Sequence, residues 1–276
     1  MISNVGNIVA RRDLLRELIR SELAASSAES SLGWLWWLVD PLLLMLIYSG
    51  MVYLIRGGGK LQYSPYPIFI FCALITWKHF AVTAQKSGRI LISRDGLIKA
   101  VPFPTMILPL SQVISNFLFF LFGFVVLVAM SLIWRSPQHT GSMLPLVQVP
   151  ALMLLQLVIV AGICLPLSCV AVLFKDIPAL MGHIIRIGFY VSPGLYGIDM
   201  VRQALAERTG DAAPLLFNLY MLNPFAILIT GYRDAVFYGR YLEPGYWGIL
   251  VLEAAILIVA GYLIYQHYDR RVIKFL

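Results

Sequence analysis

The stretch Ile107–Trp134 reads ILPLSQVISNFLFFLFGFVVLVAMSLIW and contains no Asp, Glu, Lys or Arg. At about 1.5 Å of rise per residue, a helix of this length exceeds the roughly 30 Å hydrocarbon core of a bilayer. It is long enough to tilt or to project beyond the membrane. Five further stretches are also long and apolar, though only Leu146–Phe174 is equally free of charge: Trp34–Ile55, Tyr66–Ala84, Leu146–Phe174, Leu180–Asp199 and Tyr246–Tyr268. The second and fifth in chain order are marginal, because Lys78 and Arg186 fall within them.

Composition agrees with membrane residence. The chain has 276 residues, of which 60% are hydrophobic and 13% charged, with mean hydropathy +0.82. A soluble fold of this size would have too little polar surface to cover its core. The expectation is an all-α membrane protein of six transmembrane helices, spanning 34–55, 66–84, 107–134, 146–174, 180–199 and 246–268. Residues 1–33 would form an N-terminal segment, 34–268 one membrane domain and 269–276 a tail. No cleavable signal is expected, since 1–33 is polar and too long for a signal n-region.

Orientation follows from basic residues. An inside N-terminus places Arg11, Arg12, Arg16, Arg20, Lys86, Arg89, Arg94, Lys99, Lys175, Arg270, Arg271 and Lys274 in the cytoplasm. Arg56, Lys60, Arg135, Arg202, Arg208, Arg233 and Arg240 then lie outside. Both termini are expected to be cytoplasmic, and the net charge of +7 suits anionic headgroups better than nucleic acid. Cys72, Cys164 and Cys169 all fall in apolar spans and read as small core residues rather than disulfide partners.

Between the spans the pattern changes. Leu14, Leu15, Leu18, Ile19 and Leu23 recur at helical spacing over 11–25, with Arg12, Asp13, Arg16, Glu17 and Arg20 opposite them. That predicts an amphipathic helix, lying along the interface or packed on a partner. Ser30-Ser31-Leu32-Gly33 breaks it, and Trp34, Trp36 and Trp37 open the first span. In the basic loop Gln85–Thr105, Ile90–Ile98 can form a short helix stopped by Pro102 and Pro104. It suits either docking into a soluble partner or a plain interfacial connection. Ser192-Pro193-Gly194 and Asn223-Pro224 interrupt the region 192–245. A re-entrant hairpin or a further pair of crossings would accommodate both breaks.

The chain shows no catalytic signature of its own. Gly57-Gly58-Gly59-Lys60 lacks the upstream glycine of a phosphate-binding loop, and Leu61 replaces the required Ser or Thr. His79, His139, His183 and His267 have no metal-ligand spacing. If ATP drives this protein, another chain must bind it. Asp40, Lys78, Arg186 and Glu253 are ionisable residues inside spans, each costing about 2.5–3.5 kcal/mol at mid-bilayer. They read as structural pairs or pore lining, or as an ion relay. Trp34, Trp36, Trp37, Tyr190 and Tyr196 could stack on sugar rings or serve as belt and packing residues.

An ordered set of landmarks runs over about residues 10–270: Arg12-Asp13-Leu14-Leu15, Leu32–Trp36, Asp40-Pro41-Leu42-Leu43, Val101-Pro102-Phe103-Pro104 with Ile107–Ser111, Phe174-Lys175-Asp176-Ile177, Phe189–Tyr196, Leu222-Asn223-Pro224 and Tyr232-Arg233-Asp234. This set resembles the polysaccharide-export permeases of the type-2 ABC exporters, which move O-antigen, capsule or teichoic-acid chains. The resemblance implies a homodimer in the bacterial inner membrane that moves a lipid-linked polysaccharide. Two copies of a cytoplasmic ATPase would hold ATP and Mg, leaving no cofactor in this chain. It implies a coupling helix in 85–104, with Arg89, Arg94, Asp95 and Lys99 facing the ATPase, and re-entrant helices in 200–240. Asp40 stands where the family commonly has Asn, and Lys78 where a neutral polar residue is usual. The pair could tune selectivity or bind each other. A same-architecture exporter of a drug or small lipid, and an ion-coupled carrier built on the four intramembrane charges, are the competing readings.

Overall fold

A computed structural model describes residues 11–28, 31–55, 62–134, 136–137, 139–174 and 176–275. Ser30, Gly57–Lys60 and the charges Arg56, Arg135 and Lys175 lie outside the described residues, as do the side chains of Arg270 and Lys274. The chain is an all-α, multi-pass membrane protein, with no strand among the described residues.

Eleven α-helices follow in order among the described residues: α1 Arg12–Ala28, α2 Trp36–Ile55, α3 Tyr66–Ser93, α4 Asp95–Ala100, α5 Ile107–Ile133, α6 Val149–Leu173, α7 Ile177–Val191, α8 Ile198–Thr209, α9 Ala213–Tyr220, α10 Pro224–Arg233 and α11 Pro244–Phe275. A 3₁₀ turn, Gly33–Leu35, leads into α2, another, Leu144–Gln148, into α6, and a π turn, Asp234–Tyr238, extends α10. Among the described residues, five helical stretches are long and apolar enough to cross a membrane: Gly33–Ile55, α3, α5, Leu144–Leu173 and Pro244–Asp269 within α11.

Helix α3 is the hub. It packs against α2, α5, α6, α7 and α10, and 78% of its most apolar stretch is buried against 11% for α2. Phe69, Ile70, Phe71, Cys72 and Ile75 are completely enclosed. On α2, Leu46, Ile47, Leu54 and Ile55 remain exposed, as residues facing lipid or another subunit do.

Two expectations change here. The span foreseen at 66–84 continues unbroken to Ser93, so Ile90–Ser93 belong to α3 and the short separate helix is Asp95–Ala100. Falling hydropathy after Ala84 does not end a helix, because no proline interrupts its hydrogen bonds before Pro102. The span foreseen at 180–199 is instead the 15-residue α7, about 22 Å long. Residues 192–197 leave helical geometry, and Asp199 begins a new helix, α8.

The segment after α7 is a bent pair: Ile198–Tyr220 and Pro224–Tyr238 meet at 87°. Asn223 makes the corner, its side chain accepting from the Phe225 amide at 3.0 Å while Pro224 occupies the first helical position. Every residue from Phe225 to Phe237 is buried.

Helices α6 and α11 form the most extensive helix pair. Contact is backbone to backbone: a Cβ added at Gly162 would meet the Leu257 carbonyl carbon at 2.6 Å, and one at Gly261 would meet the backbone of Gly162. Small residues permit this approach in the absence of a hydrophobic driving force between helices. Gly261→Leu should therefore lower stability by about 1–3 kcal/mol or more, read as a fall in thermal midpoint in detergent. Gly248→Ala, where added Cβ has open space, should leave it unchanged.

Candidate functional site: a charged cavity between three helices

Three helices enclose a cavity of about 620 Å³: α2 with Asp40, Leu44 and Tyr48, α3 with Leu74, Lys78 and Gln85, and α7 with Arg186 and Tyr190. Pro41 lies inside α2, one residue after Asp40. The Lys78 ammonium lies 2.9 Å from the Asp40 carboxylate and donates to the Trp36 carbonyl at 3.3 Å. It also sits 5.5 Å from the centre of the Trp37 ring. The partners differ in burial: the Lys78 side chain is 14% exposed and that of Asp40 54%. The carboxylate thus faces the open cavity, while the ammonium is held behind it.

Three of the four expected intramembrane charges therefore share one space. Glu253 stands apart on α11, in a separate cavity of about 470 Å³ with Ser192, Asn223 and Trp77. Its Oε2 has no hydrogen-bond partner among the described residues. The charges form no continuous relay.

The five expected glycan-path aromatics divide. Tyr190 is exposed on the charged cavity. Tyr196 donates its hydroxyl to the carbonyls of Tyr190 and Val191, at 2.8 and 3.2 Å, and so closes the end of α7. Trp36 and Trp34 are both exposed, and Trp34 also packs edge-on against Phe122 at 4.7 Å. Trp37 is buried, stacked on Phe119 and seated over Gly123, where a Cβ would come within 2.7 Å of its ring. Trp37 is thus a packing residue between α2 and α5. Consecutive positions on a helix point about 100° apart, so neighbouring tryptophans cannot share one face.

At the end of α7 away from α4 lies a site centred on Arg233. This guanidinium is buried and stacks 3.6 Å over Phe69. It donates to four carbonyls: Phe69 at 3.0 Å, Pro193 at 2.6 Å, Gly194 at 2.7 Å and Tyr196 at 2.8 Å. The broken stretch 192–197 is thereby bound to α3 and α10. Asn223 donates to the Ser192 hydroxyl at 2.8 Å, and Tyr66 to the Leu195 carbonyl at 2.9 Å. The Tyr63 hydroxyl donates to Asp199 at 2.8 Å; burial and that carboxylate push its phenol above the ordinary range. Charge counting placed Arg233 merely outside. The missed signal was its position in the apolar run Phe225–Phe237, where an arginine must find buried acceptors.

Deeper, Tyr232 donates to Gln156 Oε1 at 2.8 Å, and Gln156 Nε2 lies 3.0 Å from His79 Nδ1. This buried polar link joins α10, α6 and α3, and none of its members stood out beforehand as a site residue. Among the described residues no group of three or more His, Cys, Asp or Glu could hold a metal.

The other end carries α1 and α4. Arg94, between α3 and α4, binds Glu22 of α1 at 2.9 Å. Asp95 and Lys99 pair along α4 at 3.2 Å, and the lysine's hydrogen bond lowers the Asp95 carboxyl below its usual range. Arg89 is exposed on the last turns of α3. Thr105 donates to Asp269 at 2.6 Å and accepts from Tyr265 at 2.9 Å, fastening the Val101–Thr105 connection to α11. Arg94 thus ties the start of α4 to α1, and Thr105 ties the connection after α4 to α11.

No family model matches the chain. It is 28% identical over 262 residues to the O-antigen export system permease protein RfbA of Myxococcus xanthus, covering 94% of this chain and 92% of that protein. Two proteins of the same name from Klebsiella pneumoniae are 28% and 27% identical over 254 residues, covering 92% of this chain and 91% of each. The chain is thus similar from end to end, on a bundle with this succession of apolar helices, to O-antigen export permeases.

Proposed function

We propose that this chain is the transmembrane permease subunit of an ABC exporter moving an O-antigen-type polysaccharide, lipid-linked, across the bacterial inner membrane. The observation that carries the reading is the near-complete alignment with three O-antigen export permeases. Transport energy comes from a separate cytoplasmic ATPase that binds ATP and Mg, two copies serving a homodimer. Both termini are cytoplasmic. The uncovered apolar face of α2 supports closure of the path by a second copy. α7 completes a sixth, shortened crossing together with 192–197, and the bent pair α8–α10 is re-entrant from the outer side.

In this reading α4 is the coupling helix and α1 the interface helix. The Arg94–Glu22 pair conveys ATPase closure to the bundle. Arg94→Ala should leave ATP hydrolysis near its original rate and cut glycan export per ATP several-fold, measured in one reconstituted sample. An equal fall in both would contradict this role.

Co-purification with a soluble ATPase, followed by hydrolysis with and without lipid-linked glycan, tests the function. Stimulation by the glycan is expected. Stimulation only by drugs or short lipids would favour the same-architecture exporter of small molecules. A stable transporter without nucleotide dependence would overturn the reading.

A further inference from the structure

Beside α1 lies a third cavity, about 610 Å³, lined by Glu22, Lys86, Arg89, Ser93, Arg94 and Gln112 among others. Glu22 is committed to Arg94. Lys86 and Arg89 have no acidic partner among the described residues. The lining therefore holds two uncompensated positive charges. Gln112 is 2% exposed, and its Oε1 accepts no hydrogen bond among the described residues. Buried acceptors in folded proteins are almost always satisfied, so this carbonyl oxygen awaits a donor.

We propose that this cavity binds the phosphate-bearing head of a lipid, with Lys86 and Arg89 on the phosphate and Gln112 accepting from a hydroxyl beside it. The inference rests on the export reading only for its cytoplasmic position. Basic pockets on that side of membrane proteins suit anionic headgroups. A carboxylate from a docked protein would satisfy the two cations, but it could not donate to Gln112. A phosphorylated sugar or a glycerol headgroup supplies both the anion and the donor.

The test uses the complete transporter with its ATPase in phosphatidylcholine nanodiscs, with bound lipid counted by native mass spectrometry. Hexadecyl phosphate should bind, and K86Q/R89Q should weaken it about tenfold or more while hexadecanol binding stays unchanged. Q112L should weaken lysophosphatidylglycerol, which carries hydroxyls, more than hexadecyl phosphate. Competition then names the source: displacement by the lipid-linked glycan marks the transported molecule, and by phosphatidylglycerol a bilayer lipid. Either supports a headgroup site. Unchanged hexadecyl phosphate binding in a folded K86Q/R89Q variant would overturn the proposal. So would loss of the ATPase subunit from that variant, which would make the cavity a protein-docking surface. Glycan-stimulated hydrolysis by the unmutated complex checks the export reading separately, so the two can fail independently.

Discussion

Arg233→Ala should abolish export and lower the thermal midpoint of the purified permease more than any other single substitution around the break between α7 and α8. The side chain supplies charge-assisted bonds to Phe69, Pro193, Gly194 and Tyr196. Such bonds contribute about 1.5–3 kcal/mol each, and a stranded buried acceptor costs about 1–3 kcal/mol. These terms share one group and do not add fully, so a net loss of about 3–5 kcal/mol is expected. Residues 193, 194 and 196 have no helix to fall back on, so the break between α7 and α8 should loosen locally as well. Arg233→Lys retains the charge but cannot span the fan of carbonyls, because an ammonium lacks the planar fork. It should fall between the two. A thermal midpoint for Arg233→Ala within error of the unmutated protein would contradict the clamp.

The second large effect concerns Asp40 and Lys78. Removing one partner of a buried pair leaves an uncompensated charge, which costs more than removing both. Here burial decides the order. Asp40→Asn strands an ammonium that is 14% exposed, whereas Lys78→Met strands a carboxylate that is 54% exposed to the cavity. Asp40→Asn should therefore be the more damaging, by about 2–3 kcal/mol on the scale of an intramembrane charge, and Lys78→Met milder. The double variant Asp40→Asn with Lys78→Met should recover much of the loss in both assembly and export. A charge swap that performs no better than either single reversal would also break the pairing account. Equal damage from all variants would mean the pair is incidental.

Much of this arrangement was legible beforehand, for physical reasons that differ by element. Ile107–Trp134 has no charge to place in lipid, and α5 follows it to within one residue at Ile133. The amphipathic α1 was visible because its leucines keep helical spacing, and Leu14, Leu15 and Leu18 indeed pack with Ile90, Met106 and Ile107. The possible Asp40–Lys78 pairing could be raised because two unusual charges on different spans have strong reason to meet.

Other features escaped because hydropathy measures burial in lipid and not helix continuity. Gln85-Lys86-Ser87-Gly88-Arg89 is polar enough to look like a loop, yet α3 runs through it. The cavity beside α1 exists only because of that extension, since Lys86 and Arg89 are carried on it. Arg233 was hidden for a related reason. Counting charges by side assumes that water solvates them, while this one is solvated by backbone carbonyls. The Tyr232–Gln156–His79 link joins residues from three helices, and its members come from no common local pattern.

The central claim is that this chain forms a path for a lipid-linked polysaccharide and that a separate ATPase opens it. Flux of labelled lipid-linked glycan across proteoliposomes, with the permease and ATPase reconstituted singly and together, tests it most directly. Flux should require both proteins and hydrolysable ATP, and should vanish with Arg233→Ala. Glycan movement by the permease alone, or movement driven by a pH gradient without nucleotide, would contradict the account.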